Sequence, residues 1–228
     1  MQSIGNGLER VEFSGKVVLV TGAGRGAGRS IAQAFAAHGA IVAANDLTPI
    51  NLDETIALIH TAGGQVKAYI YDVAKRMPVQ ALVEEVLDDW DRIDILVNCA
   101  NVVPHAALLD MDEWDWQRTL DVNLSGPFYT MQQVGRAMRE QGGGVIINLG
   151  AGQQEITNAS DRAAYAASKS GLVGLTQAAT QEFVKYNIRV NLVLPAAHVN
   201  QDLKIAHKVL YLCSREAAHL TGQVIDLD

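Results

Sequence analysis

The sequence predicts an α/β protein built on one doubly wound parallel sheet of about seven strands, and three observations carry that reading. Short β-branched runs alternate with helical stretches four times in succession through residue 98, an alternation that parallel sheets with crossover helices require. A glycine-rich turn joins the first strand to its helix. No Pro-, Gly- or Ser-rich linker divides the 228 residues, so 1–228 reads as a single domain.

Lys16 to Val20 is a short apolar run ending at Thr21 and Gly22, and Ala27 to His38 reads as a helix closed by Gly39. Between them, residues 22–28 satisfy the pattern G-x-G-x-x-A and carry two further glycines. Glycines let the backbone turn tightly and approach a ligand, and the helix start offers free N–H groups and a positive dipole end to a pyrophosphate. The second strand, Ala40 to Asn45, ends at Asp46. An acid there either accepts hydrogen bonds from both hydroxyls of an adenosine ribose, which favours NAD over NADP, or caps the helix from Asn51. Arg25 acts in the opposite direction, as a base in the glycine loop able to pair with a 2′-phosphate.

Leu52 to Thr61 reads as the second helix and Gln65 to Tyr71 as the third strand. Asp72 and Val73 follow, at the strand end that faces a nucleotide in such a sheet; the carboxylate accepts from an adenine amino group or caps the turn. Val79 to Trp90 is a third helix with Leu82, Val83, Val86 and Leu87 inward. Ile93 to Asn98 is a buried parallel strand running into Cys99-Ala100-Asn101. Trp114 to Glu140 reads as one long helix, kinked near Asn123 because Pro127 removes a backbone hydrogen bond. Trp114 and Trp116 are expected in the core or a subunit interface. Val145 to Leu149 is a strand, Ser160 to Lys185 a helix, and Ile188 to Leu194 a strand stopped by Pro195. A helix from Leu203 to Cys213 and a last strand from Val224 to Asp228 complete the chain. Only Ala196 to Asp202 separates Pro195 from that helix, too little for a substantial cover over a substrate.

Nearly half the residues are apolar and the net charge is −7, which suits a sizeable core and argues against nucleic acid as a partner. Cys99 and Cys213 lie in apolar surroundings and read as buried thiols of a reducing compartment. The six histidines show no ligand spacing, so no metal site is expected. No apolar run is long enough to cross a membrane and the N-terminus lacks a signal-peptide core, so a cytoplasmic protein is expected.

Tyr165 and Lys169 are four residues apart on one predicted helix, so a phenol and an ammonium address the same small volume. A neighbouring positive charge favours phenolate and lowers the phenol's pKa, which fits the pair for proton exchange with an alcohol or carbonyl oxygen. On its own such a pair is an ordinary feature of helix surfaces; its weight comes from the glycine turn upstream.

Taken in order, Thr21-Gly22-x-x-x-Gly26-x-Gly28, Asp72-Val73, Asn98-Cys99-Ala100, Asn123, Tyr165-x-x-x-Lys169 and Asn191-x-Val193-x-Pro195 resemble the short-chain dehydrogenase/reductase family over residues 12 to 227. The 3-oxoacyl-acyl-carrier-protein reductase-like and NAD-dependent alcohol dehydrogenase branches are the most similar in pattern. The resemblance implies a Rossmann fold, a nicotinamide cofactor and hydride transfer to or from a small carbonyl or secondary alcohol. It also implies Tyr165 as general acid/base, Lys169 as its activator and nicotinamide-ribose ligand, and Asn123 as holder of a relay water. Asp46 and Asp72 would take the adenosine, and Gly22, Gly26 and Gly28 the phosphates. Arg25, Val73, Asn98, Ala100 and Pro195 complete the implied cofactor site. A homodimer or homotetramer is the family's habit.

Three departures stand out. The family's substrate-orienting serine is replaced, because Asn148-Leu149 is followed by Gly150-Ala151-Gly152; Gln153, Gln154 or Ser160 are the expected stand-ins. Asn101 and Ala196 stand where glycines are usual. The loop after Pro195 is short. A dinucleotide-binding member with little or no catalysis is therefore the alternative reading.

Overall fold

The computed structural model describes residues 12–195 and 201–227. Its strands are β1 (Val17–Thr21), β2 (Ile41–Asp46), β3 (Gln65–Ile70), β4 (Ile95–Asn98), β5 (Gly144–Leu149), β6 (Ile188–Leu194) and β7 (Val224–Asp226). The helices are α1 (Gly26–Ala37), α2 (Pro49–Thr61), α3 (Arg76–Trp90), α4 (Glu113–Leu120), α5 (Gly126–Gln141), α6 (Gln153–Thr157), α7 (Ala163–Phe183) and α8 (Asp202–Cys213). All seven strands form one parallel sheet in the order β3-β2-β1-β4-β5-β6-β7. The predicted Rossmann architecture is what the chain adopts.

Fully apolar strands such as Val17 to Val20 and Ile95 to Val97 are buried on both faces, as a sheet covered by helices on each side demands. One layer packs Ile31 and Phe35 of α1, Leu52 and Ile59 of α2 and Val209 and Leu210 of α8 against the sheet. The other packs Val83 and Val86 of α3, Met131, Val134 and Met138 of α5 and Ala179 of α7. The helix ends follow local chemistry. Asp112 caps α4 by accepting from the Asp115 amide at 2.7 Å, and Gly142 ends α5 at φ 88°, where a side chain would be strained.

Two elements differ from the sequence reading. The expected helix from Trp114 to Glu140 is broken into α4, a π turn at Asp121–Ser125 and α5. The Gly126 amide bonds to the Asp121 carbonyl five residues back, so the chain accommodates Pro127 by widening one turn. A short helix, α6, occupies the segment after β5 that was expected to be loop.

Candidate active site

β1 lies between β2 and β4, whose connections lead to opposite halves of the sheet. Above such a switch point a parallel sheet leaves a crevice at its carboxyl end, and here it is a cleft of about 980 Å³. One wall is the glycine turn. A Cβ on Gly22, which has φ +66°, would lie 2.7 Å from Ala100 Cα, and one on Gly28 would lie 2.1 Å from the Gly22 carbonyl oxygen. The two loops touch through backbone, and Thr21 Oγ1 locks them by accepting from the Cys99 and Ala100 amides at 3.1 and 3.2 Å. The N-terminal end of α1 has no side-chain cap and no acid in its first turn, so its amides and dipole are open to an anion.

Of the residues singled out from the sequence, Gly22, Arg25, Gly26, Gly28, Asp46, Asp72, Val73, Ala100, Tyr165, Lys169 and Pro195 line this cleft. Asp46 accepts from the Gly24 amide at 2.9 Å and the Leu47 amide at 2.8 Å. It does not cap α2, because Thr48 holds that position. Asp72 accepts from the Ala74 amide at 3.0 Å, the turn-capping contact, and from Arg118 Nη1 of α4 at 3.1 Å. Arg118 had no sequence signal, since its partner is 46 residues away. Trp114, expected in the core or an interface, is 70% exposed and lines the cleft.

At the opposite end α7 presents Tyr165 and Lys169, each 4% exposed. Lys169 Nζ donates to the Leu149 carbonyl at 2.9 Å and stands 5.7 Å from the Tyr165 ring centroid. Burial brings its pKa down to about 8. Tyr165 Oη donates a long hydrogen bond, 3.4 Å, to Glu155 Oε2. Burial, then the Glu155 charge, push the phenol above its usual range, with Arg162 opposing. The expectation that Lys169 lowers this pKa is therefore corrected: the ammonium is committed to a carbonyl, and a carboxylate lies at the hydroxyl.

Glu155, carried by α6, was missed by sequence reasoning. The expected serine substitutes Gln153, Gln154 and Ser160 are all exposed and none lines the cleft, whereas Glu155 does. Ala151 is 1% exposed. Asn98 and Asn123 stand behind the cleft wall. Asn98 Nδ2 donates to Asn148 Oδ1 at 2.9 Å and its Oδ1 accepts from Thr130 at 2.7 Å. Asn123 accepts from the Val102 amide and donates to its carbonyl, both at 2.9 Å, and donates to Ser168 at 3.2 Å. The expected short loop of residues 196–202 lies outside the described residues except for Gln201 and Asp202.

Among the described residues no group of three His, Cys, Asp or Glu side chains is placed to hold a metal. No described helix is long and apolar enough to cross a membrane. Cys99 and Cys213 are free, and burial pushes both thiols up to about 12.

The chain is 33% identical to 3-oxoacyl-acyl-carrier-protein reductase FabG of Thermotoga maritima, over 96% of this chain and 98% of that one. That alignment spans 247 positions against the 228 residues here, so the relative carries internal residues that this chain lacks. D-threitol dehydrogenase of Mycolicibacterium smegmatis is 39% identical over 86% of this chain and 74% of its own. A crystal structure of a putative short-chain dehydrogenase/reductase from Burkholderia xenovorans superposes with TM-score 0.90 at 32% identity, covering 95% of this chain and 96% of that one. Two further neighbours differ in nicotinamide. NAD+-bound xylitol dehydrogenase has 26% identity, TM-score 0.88 and coverage of 95% and 98%. A putative NAD(P)-dependent gluconate 5-dehydrogenase from Beutenbergia cavernae with NADP bound at low occupancy has 28% identity, TM-score 0.88 and coverage of 96% and 98%. The short chain dehydrogenase family model matches residues 16–205, and with this cleft and this sheet the chain belongs to that family of nicotinamide-dependent oxidoreductases.

Proposed function

We propose that the protein is an NAD-dependent dehydrogenase/reductase acting on a small secondary alcohol or carbonyl, in the manner of 3-oxoacyl reductases. The observation that supports this most is that Tyr165 and Lys169 face the same cleft as the glycine turn. The residues present suit a dinucleotide: the close backbone approach at Gly22 and Gly28 leaves a cradle that a Cβ would fill, and the α1 amides are uncapped. Bound there, a nicotinamide supplies the hydride exchange.

Every other function falls to this chain. Gly22, Gly26, Gly28 and Arg25 hold the phosphates. Asp46 accepts from the adenosine ribose and repels a 2′-phosphate, which favours NAD over NADP. Asp72, Val73, Asn98, Ala100 and Pro195 shape the remainder of the cofactor site. Tyr165 passes a proton to or from the substrate oxygen. Lys169 holds the nicotinamide ribose, and Asn123, within the π turn, supports the relay that resupplies the proton. We read the chain as one domain, 1–228, with a shortened substrate loop near 196–202. We also read it as a cytoplasmic homodimer or homotetramer, with exposed Trp116 and Phe128 available for subunit contact.

A second reading, dinucleotide binding with little or no turnover, is favoured by Ala151, whose buried methyl offers no donor to a substrate oxygen. Titration with NADH and NADPH, followed by an alcohol and carbonyl panel with whichever binds, tests both. Tight NADH binding with turnover lost in Tyr165→Phe supports the enzyme. Binding without turnover across the panel supports the alternative.

A further inference from the structure

Resting on Tyr165 as the acid/base, we propose that Glu155 is the positioning residue that takes over from the family serine, turning the Tyr165 hydroxyl so that its oxygen accepts from a substrate alcohol and receiving the proton that Tyr165 passes on. Three observations converge on it. Glu155 Oε2 is 3.4 Å from Tyr165 Oη. Glu155 lines the same cleft as Tyr165, Lys169 and Gly150. Ala151 leaves the usual serine position without a polar atom, while Glu155 reaches the same hydroxyl from α6.

The exchange changes the chemistry. A serine hydroxyl can donate to a carbonyl oxygen; a carboxylate only accepts. With the Tyr165 proton turned to Glu155, the phenol oxygen accepts from a substrate oxygen that enters as an alcohol, whereas a carbonyl oxygen finds no donor there. The bound state selected is the alcohol. On oxidation the carbinol C–H bond breaks and its hydride, with the electron pair, goes to the oxidised nicotinamide of the family reaction. The hydroxyl proton moves to Tyr165 as the phenol's own proton moves to the Glu155 carboxylate, and the C=O bond forms. Glu155 ends with the one proton the alcohol loses, and the negative charge it gives up matches the positive charge the nicotinamide loses on taking the hydride.

The groups that face this pair come from each neighbouring element. Arg162, before α7, places Nη1 3.8 Å from Glu155 Oε1 and its guanidinium carbon 6.0 Å from the Tyr165 ring. Its Nε is buried without a hydrogen-bond partner, with Asp161 Oδ1 3.8 Å away. Lys169 lies 5.7 Å from the ring on α7, with Cys99 beside it from the end of β4. The His105–Asp161 pair, 2.8 Å apart, adjoins Arg162.

The test is Glu155→Gln, which keeps size and removes the acceptor charge, with Glu155→Asp as the conservative variant. Two readouts are independent. In the cofactor-free protein, tyrosinate absorbance near the red edge of the phenol band is titrated with Tyr165→Phe as the subtraction reference. The Tyr165 phenol is expected to ionise at lower pH in Glu155→Gln than in the parent, and Glu155→Asp to lie between them. In turnover, the KM for the alcohol is expected to rise about tenfold or more in Glu155→Gln, the size of one lost hydrogen bond to a charged group, while the KM for the matching carbonyl does not rise. An unchanged phenol titration together with unchanged KM values overturns the proposal. Turnover surviving in Tyr165→Phe would instead overturn the acid/base reading on which it rests.

Discussion

The two ends of one sheet treat buried charge in opposite ways. At the amino end Asp94, 8% exposed, accepts from Lys16 at 2.9 Å, from Arg92 at 2.6 and 2.8 Å and from the Val17 amide at 3.0 Å. Burial alone would raise its pKa, but the Arg92, Lys16 and Val17 contacts outweigh it and hold the carboxyl below the usual range. At the carboxyl end Lys169 is as deeply buried but meets only the Leu149 carbonyl, and burial prevails. Pairing at one end ties β1 to the segment leading into β4 and steadies the sheet. At the other end the ammonium has, among the described residues, no carboxylate partner and one hydrogen bond, to the Leu149 carbonyl. A parallel sheet separates stability from chemistry in this way because its loops of function all lie at one edge.

Substitutions can break this contrast. The largest expected effect is on chemistry: Tyr165→Phe lowers kcat/KM by about 10²- to 10⁴-fold, the usual contribution of a positioned proton donor, with NADH affinity retained in a fluorescence titration. At the amino end Asp94→Ala is expected to cost about 3 kcal/mol in urea unfolding, since it removes the acceptor of hydrogen bonds from Lys16, Arg92 and the buried Val17 amide. The parent's Asp94 contribution is present above the unfolded pKa and is lost as pH falls through its lower folded value. The variant's acid unfolding should lack that limb, and an identical acid transition in both proteins would refute the clamp.

Lys169→Met sharpens the other side. The lysine's folded pKa, about 8, lies below the 10.5 of a free lysine, so between those values the unfolded chain binds more protons and stability rises with pH. In cofactor-free protein that rise, on the order of 3 kcal/mol from about 1.4 kcal/mol per pKa unit, should vanish in the methionine variant. A slope equal to the parent's argues against burial as the cause. Smallest is Asp46→Ala, expected to narrow the preference for NADH over NADPH about tenfold, or roughly 1.4 kcal/mol, as read by paired titrations.

Most of the sheet was legible in the sequence because its strands are short, largely apolar runs bounded by turn residues, as at Val17 to Val20 and Ile95 to Val97. The glycine turn, Asp46, Asp72 and the Tyr165/Lys169 pair were legible because local spacing defines their geometry. Glu155 was not. Its segment has no apolar periodicity, and its bearing on Tyr165 depends on how α6 folds back over α7. Arg118 and Arg162 were hidden for the same reason, each meeting its partner only through tertiary packing. Pro127 signalled an irregular helix, yet its spacing alone did not distinguish a bend from a widened turn. The lowered phenol pKa was misjudged because sequence adjacency showed Lys169 and not the acid across the cleft.

The π turn at Asp121–Ser125 amounts to one surplus residue lodged between α4 and α5. Each helical residue adds about 100° of rotation, from 3.6 residues per turn. Excising Leu124 would therefore swivel everything upstream by more than a quarter revolution, carrying Arg118 off Asp72 and Trp114 away from the cleft. The aim of α4 at the cleft is thus set by a local miscount in the helix, a dial that a single-codon deletion could turn without substituting any residue that lines the cleft.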